Sequence, residues 1–511
     1  MEELKQITVG LAEETLTWQA AVGTTLLELL QANGVYPKAP CGGRGTCGKC
    51  QVQLTNGSFS GVTPDAHGRI LSCRARVLTD ATIVIPSGAL AGVLPPVTVL
   101  DPSVGATDAG SYVMAVDLGT TTIAASLLQE ASGARVATCA LENPQAVWGA
   151  DVISRILAAE RGHLPAMQRA VLRTLAGMAH AFERLVGKGR IRRAAVAANT
   201  TMQHLAAGVN PASIGQAPYT PVFVDARELG ACLEGLPHLS VTLLPSVSSF
   251  IGADILVGLL SVGYLQDDTN RLFVDLGTNA EVVLQVGGRL FATSAAAGPA
   301  LEGANISCGM GGTLGAVSHV RPAGDKLLLS TIGEAPPAGI CGSGLMDLMA
   351  VLLEAGVVDE GGAFDEADTL LRSHLRGDRF FFEEELSLSQ RDVRAFQTAK
   401  AAIRGVVETL LHVAGSRAEE IGQVHVAGGL GYHVSPESLL RCGLFPPAFA
   451  GRITAVGNTS LAGAELCLRS DRQAELARLR EACTVVDLNC DSYFAEAFVD
   501  AMAFEAGAGM P

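Results

Sequence analysis

The sequence predicts a small α+β domain at the amino terminus, followed by a linker and a larger α/β domain with two lobes. Three cysteines and four glycines fall within residues 41–50, CGGRGTCGKC, close to the start of the chain. A stretch rich in Gly, Pro, Ala and Ser follows at residues 89–111. The tetrapeptide DLGT then occurs twice, at Asp117 and at Asp275, each time after an apolar run that is typical of a buried strand. We therefore expect three segments, 1–88, 89–111 and 112–511.

Composition and charge place the chain among globular proteins and exclude several classes of partner. Apolar residues make up 48% of the 511 residues, and the formal net charge is −15. This negative charge opposes binding to nucleic acid or to anionic membrane surfaces. The first residues lack the pattern of a signal peptide, and no apolar run approaches the ~20 residues that span a bilayer. We therefore expect a cytoplasmic protein, in which clustered cysteines act as metal ligands or redox groups rather than as disulfides.

Residues 1–88 contain, in order, the elements of a hairpin, a helix and two further strands. Residues 5–10 and 15–20 alternate apolar and polar side chains, as the two strands of a hairpin do. A short leucine-rich helix opens at Thr24 and stops at Gly34. The strands CQVQLT and ATIVIP follow the cysteine-rich loop. This order predicts a compact α+β domain built around that loop.

Four cysteines form the candidate metal site of this domain. Their spacing is C-x5-C-x2-C-x22-C, and the ligands are Cys41, Cys47, Cys50 and Cys73. Three thiolates on a glycine-rich loop and one from a distant segment suit a [2Fe–2S] cluster, because glycine lets backbone N–H groups turn toward sulfur. Zinc is the alternative, although structural zinc sites usually pair two short cysteine motifs and Cys73 stands alone. With the order of elements, this spacing resembles the β-grasp fold of plant-type and adrenodoxin-type ferredoxins.

Residues 89–111 carry no clear hydrophobic period and predict a flexible linker. A flexible coil of this length has ends on the order of 25 Å apart. Such a linker would let the small domain move over the face of a neighbour.

The two DLGT turns are candidate phosphate-binding turns. A tight glycine turn between two strands offers backbone N–H and hydroxyl donors to phosphate, and an Asp beside it can hold Mg²⁺ through water. One such turn alone is also what a simple hairpin contains, but its repetition predicts two similar halves that face one another. The residues predicted to contact phosphate are Gly119, Thr120, Thr121, Gly277, Thr278 and Asn279, with Asp117 and Asp275 on Mg²⁺.

A third glycine-rich element ends the predicted strand QVHVAGG. Gly428 and Gly429 have no side chains, which would let the flat base of a nucleotide approach the backbone. In this order, the three elements resemble the nucleotide site of the actin, sugar-kinase and heat-shock-chaperone superfamily. Residues 194–208 and 456–466 lie where the segments that connect its two lobes belong. The resemblance implies a two-lobed α/β ATPase that binds ATP and Mg²⁺.

Further motifs carry a resemblance that covers nearly the whole chain. They include NPQAVWGADVISRI at 143–156, GPALEGANISCGM at 298–310, GICGSGLMDL at 339–348 and YFAEAFVDAMAF at 493–504. With a ferredoxin joined to an ATPase, these motifs resemble the reductive activators of corrinoid-dependent methyltransferases. Longer members of that family carry an additional small domain between the ferredoxin and the ATPase, and we expect it to be missing here.

This resemblance implies ATP-dependent reduction of a corrinoid protein by one electron, from inactive Co(II) to Co(I), through the [2Fe–2S] cluster. It also implies a low-potential electron donor and leaves a homodimer open. Asp117 and Asp275 would serve ATP hydrolysis, and Glu281 would orient water, unless it is an exposed or ion-paired strand residue. Three residues of GICGSGL would approach the nucleotide, unless Ser343 is a helix N-cap; they are Gly342, Ser343 and Gly344.

Other chemically reactive side chains have simpler interpretations. Four of them are expected to be small packing or core residues, namely Cys308, Cys341, His204 and His425. Lys400 and Arg404 lie four residues apart on a predicted helix. A solvated basic stripe is expected there, and contact with phosphate or with an acidic partner is the alternative.

Two functions of other classes stay open on the sequence alone. One is an activator of 2-hydroxyacyl-CoA dehydratases or of another low-potential reductase, but those dehydratase activators hold a cluster between subunits rather than in a ferredoxin domain. The other is a redox sensor whose ATPase fold only binds a ligand. The presence of both Asp residues and both Gly-Thr turns favours an ATPase over such a sensor.

Overall fold

The computed structural model describes residues 3–11, 15–39, 43, 45, 48–86, 89–90, 97–100, 110–303, 305–365, 370–429, 434–469, 472–489 and 491–504. The chain divides into two compact units, Met1–Asp254 with Gly463–Gln473 and Ile255–Ala462 with Ala474–Pro511. The first unit holds the small domain and one lobe of the larger domain, and the second unit holds the other lobe.

The small domain has the predicted β-grasp fold. Its elements are β1 (Leu4–Gly10), β2 (Thr15–Ala21), α1 (Leu26–Ala32), β3 (Gln51–Asn56), β4 (Phe59–Ser60), β5 (Arg69–Leu71), β6 (Arg76–Val77) and β7 (Ala81–Val84). The sheet order is β2–β1–β7–β3–β5, with β1 antiparallel to β2 and parallel to β7. Helix α1 begins with a capping box between Thr25 and Glu28. The hairpin, the helix and the closing strand are therefore confirmed.

The first lobe is a seven-stranded mixed sheet with helices. Its elements are β8 (Thr98–Val99), β9 (Tyr112–Leu118), β10 (Thr122–Gln129), β11 (Arg135–Glu142), α2 (Val152–Ala158), α3 (Leu164–Val186), β12 (Ile191–Ala198), α4 (Thr200–Ala207), β13 (Arg227–Gly230) and β14 (Ser240–Leu243). The sheet order is β13–β14–β12–β9–β10–β11–β8.

The second lobe contains a six-stranded sheet in the order β25–β24–β15–β16–β17–β26, and two smaller three-stranded sheets. Its strands are β15 (Arg271–Leu276), β16 (Ala280–Val286), β17 (Arg289–Ala295), β18 (Ala316–Ala323), β19 (Lys326–Thr331), β20 (Gly339–Ile340), β21 (Leu375–Arg376), β22 (Arg379–Phe381), β23 (Ser387–Ser389), β24 (Gln423–Ala427), β25 (Ile453–Gly457) and β26 (Cys483–Val485). The helices from the unit boundary onward are α5 (Ala253–Ser261), α6 (Gly342–Glu354), α7 (Gln390–Ala414), α8 (Pro436–Arg441), α9 (Thr459–Cys467), α10 (Gln473–Ala482) and α11 (Ser492–Asp500).

The two lobes repeat one topology. In the first, β14, β12 and β9 run parallel, and β9, β10 and β11 then pair antiparallel. In the second, β25, β24 and β15 run parallel, and β15, β16 and β17 pair antiparallel. Each DLGT turn joins the first two antiparallel strands of its lobe. The prediction of two similar α/β halves is therefore confirmed.

The predicted linker is not coil throughout the part that the structure describes. Strand β8 pairs with β11 through Val99 and Ala137, and the Leu100 N–H donates to the Val136 carbonyl at 2.8 Å. These bonds add one short edge strand to the sheet. A strand of two residues is too short to show a recognisable pattern in the sequence. The interpretation of residues 89–111 as wholly flexible is wrong at residues 97–100.

The expected basic stripe on α7 is also wrong, because Lys400 is buried. Its side chain is 1% exposed, its ammonium donates to the Ala501 carbonyl at 2.8 Å and to the Ala503 carbonyl, and it lies 4.9 Å from the ring centre of Phe504. The last carbonyls of a helix lack partners within the helix, and a cation there is favourable. Arg404 instead pairs with Glu408 on its own helix at 2.7 Å. Lys400 therefore fastens the end of α11 to α7.

Lys400→Met should destabilise the attachment of α11. The substitution leaves two carbonyls at a buried helix end without their donor, for which we expect a loss of about 1–3 kcal/mol. Hydrogen exchange of residues 492–504 and the thermal midpoint would measure it. Arg391→Met, at an exposed position of the same helix, should change stability by less than about 0.5 kcal/mol. Equal exchange rates in the two variants would contradict this role of Lys400.

Candidate functional site

The first DLGT turn is a tight connection between β9 and β10. A Cβ on Gly119 would lie 2.6 Å from the Thr122 carbonyl oxygen, so the backbone there has no room for a side chain. Asp117, Gly119 and Thr120 are half-buried and Thr121 is exposed. The turn can therefore present backbone N–H and hydroxyl groups to a ligand beside a carboxylate, as the sequence predicts.

Three residues that the sequence did not single out hold this turn. The Asn143 side chain donates to the Gly119 carbonyl at 2.7 Å, and its backbone N–H donates to the Thr121 carbonyl at 2.8 Å. The Arg155 guanidinium donates to the Thr120 carbonyl at 2.6 Å. The N-cap of α4, Asn199, donates from its amide to the Thr120 hydroxyl oxygen at 3.0 Å. Three carbonyls and one hydroxyl of the turn are thus held by neighbouring segments of the first lobe.

Arg155 is a buried cation beside the first DLGT turn. It is 0% exposed, and its hydrogen-bond partners are the carbonyls of Thr120 and Gly149, the Gln145 side chain and the Met202 sulfur, all of them uncharged. Burial lowers the pKa of Arg155 to about 9, which the Asp151 carboxylate counteracts in part. A buried cation favours a negative charge nearby. Phosphate at this turn would supply one.

The second turn joins β15 to β16 and is held differently. The Gly277 N–H donates to the Asn279 carbonyl at 3.1 Å, which closes the turn on itself. The Thr278 hydroxyl donates to a Glu302 carboxylate oxygen at 3.0 Å. Glu302 ends the short helix Pro299–Glu302 and was not predicted as a site residue. Glu302 belongs to the motif GPALEG. Its contact with Thr278 could not be predicted from the sequence, because the two residues are far apart in the chain.

Asp275 and Glu281 lie on one face of the second sheet. They are directly opposite each other in the antiparallel pair of β15 and β16, and Ser294 lies opposite Glu281 on β17. The Ser294 hydroxyl donates to Glu281 at 3.1 Å. Two carboxylates at such close cross-strand positions repel each other. A cation beside them would relieve that repulsion, so the pair suits Mg²⁺ with water in its shell.

The glycine pair after β24 lies against Asp275. Gly428 has a φ of 90°, and a Cβ there would lie 2.6 Å from an Asp275 carboxylate oxygen and from the Leu276 carbonyl oxygen. Glycine at 428 is therefore required by the approach of the Asp275 side chain. A Cβ on Gly429 would meet nothing within 4 Å, so that position is open. Contact of Gly428 and Gly429 with a base stays a prediction.

The GSG sequence starts α6, but Ser343 is not its N-cap. Helix α6 begins at Gly342 after Cys341, and the Ser343 hydroxyl donates to the Ser318 carbonyl at 2.9 Å. A Cβ on Gly344 would lie 2.1 Å from the Val317 carbonyl oxygen, so the helix rests directly on β18. The N-cap alternative is therefore wrong. Contact of Gly342, Ser343 and Gly344 with nucleotide stays a prediction. Such a contact would use the backbone N–H groups at the start of α6, which suit phosphate.

The cysteine and histidine residues assigned to packing have packing roles. Burial raises the pKa of Cys308 to about 11, and its thiol donates to the Ser387 carbonyl at 3.3 Å. Cys341 is buried. His204 is fully buried, and its ring nitrogens bond to the Thr200 carbonyl at 2.7 Å and the Val222 N–H at 3.1 Å. Burial lowers the pKa of His425, whose ring packs edge-on to Tyr264.

The cysteine loop is described only in part. Cys41 and Cys47 lie outside the described residues, and within those residues no group of three or more metal-ligating side chains comes together. Cys50 is 1% exposed, and Cys73 is half-buried. A Cβ on Gly43 would lie 3.9 Å from the Cys73 Cβ, and Gly43, Gly45 and Gly48 all have positive φ. A tight glycine loop that wraps against Cys73 fits a cluster held by this loop and by that thiolate.

Family models match three consecutive parts of the chain. A 2Fe-2S iron-sulfur cluster binding domain matches residues 10–78, the RACo middle region matches residues 112–267, and the C-terminal domain of RACo, the ASKHA domain, matches residues 269–509. The middle region thus has a counterpart here, and it begins where β9 begins. It lies within residues 112–511, the segment predicted to form the ATPase, so the absence of a further small domain before residue 112 stays a prediction. In the described residues, no helix is long and apolar enough to cross a membrane.

Two curated relatives and a solved structure are similar to this chain, over about half to nearly all of their length. The corrinoid activation enzyme RamQ of Eubacterium limosum is 31% identical over 76% of this chain and 69% of its own. The [Co(II) methylated amine-specific corrinoid protein] reductase of Methanosarcina barkeri is 29% identical over 49% of this chain and 48% of its own. A solved reductive activator for corrinoid,iron-sulfur protein is 28% identical, covers 98% of both chains and has a TM-score of 0.71. The chain belongs to the family of corrinoid activation proteins, which join a 2Fe-2S domain to an ASKHA domain.

Proposed function

We propose that this protein uses ATP to return a corrinoid protein from Co(II) to Co(I) by transfer of one electron. The observation that carries the proposal is the joining, in one chain, of a β-grasp domain with a cysteine loop to two lobes that each carry a DLGT turn, after β9 and after β15. The names of the relatives support the same activity. The partner is a corrinoid protein of a methyltransferase system, and the reaction adds one electron to its cobalt without transfer of any other group.

When bound, a [2Fe–2S] cluster of this type supplies a single electron at about −400 mV. Cys50 and Cys73 would hold it together with Cys41 and Cys47. For a one-electron transfer, each ~59 mV of unfavourable potential difference lowers the equilibrium yield tenfold. Co(I) is reached uphill from ordinary donors, so ATP has to favour the product state of the complex. A low-potential one-electron donor then has to reload the ferredoxin domain after each transfer.

The two phosphate turns would bind the nucleotide. Residues Gly119 to Thr121 would offer N–H and hydroxyl donors to phosphate, and the buried charge of Arg155 favours an anion at this first turn. At the second turn the N–H groups of Thr278 and Asn279 would donate, whereas the Gly277 N–H and the Thr278 hydroxyl would have to exchange their present acceptors for phosphate. Asp117 and Asp275 would hold Mg²⁺ through water. Glu281, fixed by the Ser294 hydroxyl, would orient the water that attacks the terminal phosphate.

The test is reduction of a Co(II) corrinoid protein under anaerobic conditions, followed by cobalt spectroscopy. We expect Co(I) only when the protein, a low-potential reductant and Mg-ATP are all present. Omission of ATP should leave Co(II) unchanged. Equal formation of Co(I) with and without ATP would contradict the coupling of hydrolysis to reduction. An absence of Co(I) with corrinoid proteins of several methyltransferase systems would contradict the proposal itself.

A further inference from the structure

Within the first unit, the small domain rests on the first lobe through a defined docking surface, formed by Glu142, Trp148 and Arg173. The Tyr36 ring lies 5.7 Å from the Trp148 ring, centre to centre. Burial raises the pKa of Tyr36, and the nearby Arg173 guanidinium counteracts that rise in part. The Lys38 ammonium pairs with the Glu142 carboxylate at 2.9 Å. Trp148 is 6% exposed.

The docking surface is continuous with the interior of both domains. Cys50 and the half-buried Cys73 pack in the same apolar cluster as Val147 and Trp148. The Arg173 guanidinium lies against Gly34, where a Cβ would approach it at less than van der Waals distance. A buried aromatic contact, an ion pair and a close backbone approach together make a specific interface. The small domain is thus held in one orientation, in which Cys50 and Cys73 lie on the side that packs against the first lobe.

The same chain segment that carries Trp148 also holds the first phosphate turn. Asn143 bonds to the carbonyls of Gly119 and Thr121, and its side chain caps the short helix Pro144–Val147 by accepting the Gln145 N–H at 2.9 Å. Trp148 follows that helix directly. Asn143, which bonds to the first DLGT turn, and Trp148, whose ring contacts the small domain, are therefore less than two helical turns apart in the chain.

Arg155 makes a second connection between the phosphate turn and Trp148. Its guanidinium donates from one nitrogen to the Thr120 carbonyl at 2.6 Å and from another to the Gly149 carbonyl, next to Trp148, at 3.0 Å. Because the guanidinium is planar and rigid, a shift of Thr120 that moves the group also moves its contact with Gly149. The buried charge of Arg155, whose direct hydrogen-bond partners are all uncharged, gives the cause of such a shift, since phosphate at the turn attracts it.

We propose that nucleotide phosphate at the first turn loosens the docking surface and releases the small domain toward the corrinoid partner. Asn143, Trp148 and Arg155 are then positioning residues that link ATP to delivery of the electron. The interface is complementary to one position of Trp148, so a displacement of that ring in any direction weakens docking. This inference rests on the proposed function, because it takes the turn to bind ATP and the small domain to carry the cluster.

Linkage gives the proposal a quantitative test. If nucleotide weakens docking, a loss of docking must strengthen nucleotide binding by the same factor, and such couplings are commonly about 5- to 150-fold. Tyr36→Ala removes the ring contact and the hydroxyl from the small domain, away from the residues that hold the phosphate turn. We therefore expect Tyr36→Ala to bind a non-hydrolysable ATP analogue at least about fivefold more tightly, by calorimetry. Lys5→Ala, a change at β1 of the same domain outside the docking surface, should leave the affinity unchanged.

Trp148 itself reports docking. The chain has two tryptophans, so Trp18→Phe leaves Trp148 as the only emitter. In this background, the ATP analogue should increase quenching of Trp148 by acrylamide, and Tyr36→Ala should give the increased quenching without nucleotide. Arg155→Met should bind nucleotide without the change in quenching, and Asn143→Ala, which leaves Arg155 in place, should reduce the change. Visible absorption of the [2Fe–2S] centre in each variant verifies that the small domain is folded.

The outcomes separate this inference from the proposed function. Nucleotide binding with unchanged quenching of Trp148, together with an unchanged affinity in Tyr36→Ala, would overturn the inference and leave the function standing. Tighter docking on nucleotide binding, seen as reduced quenching, would also overturn it. Absence of any nucleotide binding by calorimetry would overturn both.

Discussion

Asp117→Asn and Asp275→Asn should each lower ATP hydrolysis by about two to three orders of magnitude, comparable with the loss of one preorganised electrostatic group. Each Asp follows the apolar part of its strand and begins a DLGT turn, where its carboxylate would hold the water shell of Mg²⁺ beside the proposed phosphate site. Asparagine keeps the shape of the side chain but removes its charge. Steady-state phosphate release, measured with a saturating corrinoid partner, is the readout.

The matched control is Asp268→Asn, an exposed aspartate in the loop before β15, which should leave turnover unchanged. Binding of nucleotide without Mg²⁺ should change much less than turnover in both active-site variants, because the lost interaction passes through the metal. Glycine at 428 should keep the folding of Asp275→Asn intact, since it gives room to either side chain. Unchanged turnover in Asp117→Asn and Asp275→Asn would mean that neither residue positions the metal.

The features that sequence predicted are those whose cause is local. Alternating and continuous apolar runs fix the strands, the capping box fixes α1, and a glycine turn after a buried strand recurs wherever the lobe topology recurs. The same holds for the cysteine spacing, which follows from what a small loop around a cluster needs. These signals are complete within short windows. The structure agrees with the strands, the helix and the turns, and the family model agrees with a 2Fe-2S domain, whereas the four ligands themselves stay a prediction.

The features that sequence missed depend on partners that are distant in the chain. The sequence around Lys400 predicts a surface lysine, because the carbonyls of Ala501 and Ala503 that bind its ammonium are about one hundred residues away in the chain. Arg155 and Asn143 carry no sign of the turn they hold, because their partners lie more than twenty residues upstream and are backbone carbonyls rather than side chains. Docking of the small domain likewise could not be predicted from the sequence. The composition of the linker predicts that the small domain moves freely, whereas the contact between Tyr36 and Trp148 holds that domain on the first lobe.

Removal of the small domain, residues 1–96, should abolish Co(I) formation while ATP hydrolysis continues. The deletion ends before Thr98 because β8 belongs to the sheet of the first lobe, and a deletion through residue 111 would expose the edge of β11. Cys47→Ser in the full chain should give the same loss of reduction with the small domain still present. The two variants together separate the need for the cluster from the need for the domain.

Addition of the isolated small domain to the truncated chain should restore reduction only weakly, because a tether commonly supplies an effective concentration near the millimolar range. Cobalt spectroscopy with ATP and reductant measures the rate, and binding of the Co(II) partner to the truncated chain verifies that the lobes remain competent. Docking strengthens this expectation, since a small domain that starts on Trp148 begins each cycle beside the ATPase, whereas a free one has to find it. If the truncated chain formed Co(I) as fast as the full-length protein, the cysteine loop would not deliver the electron, and the ATPase lobes alone would have to account for the reduction.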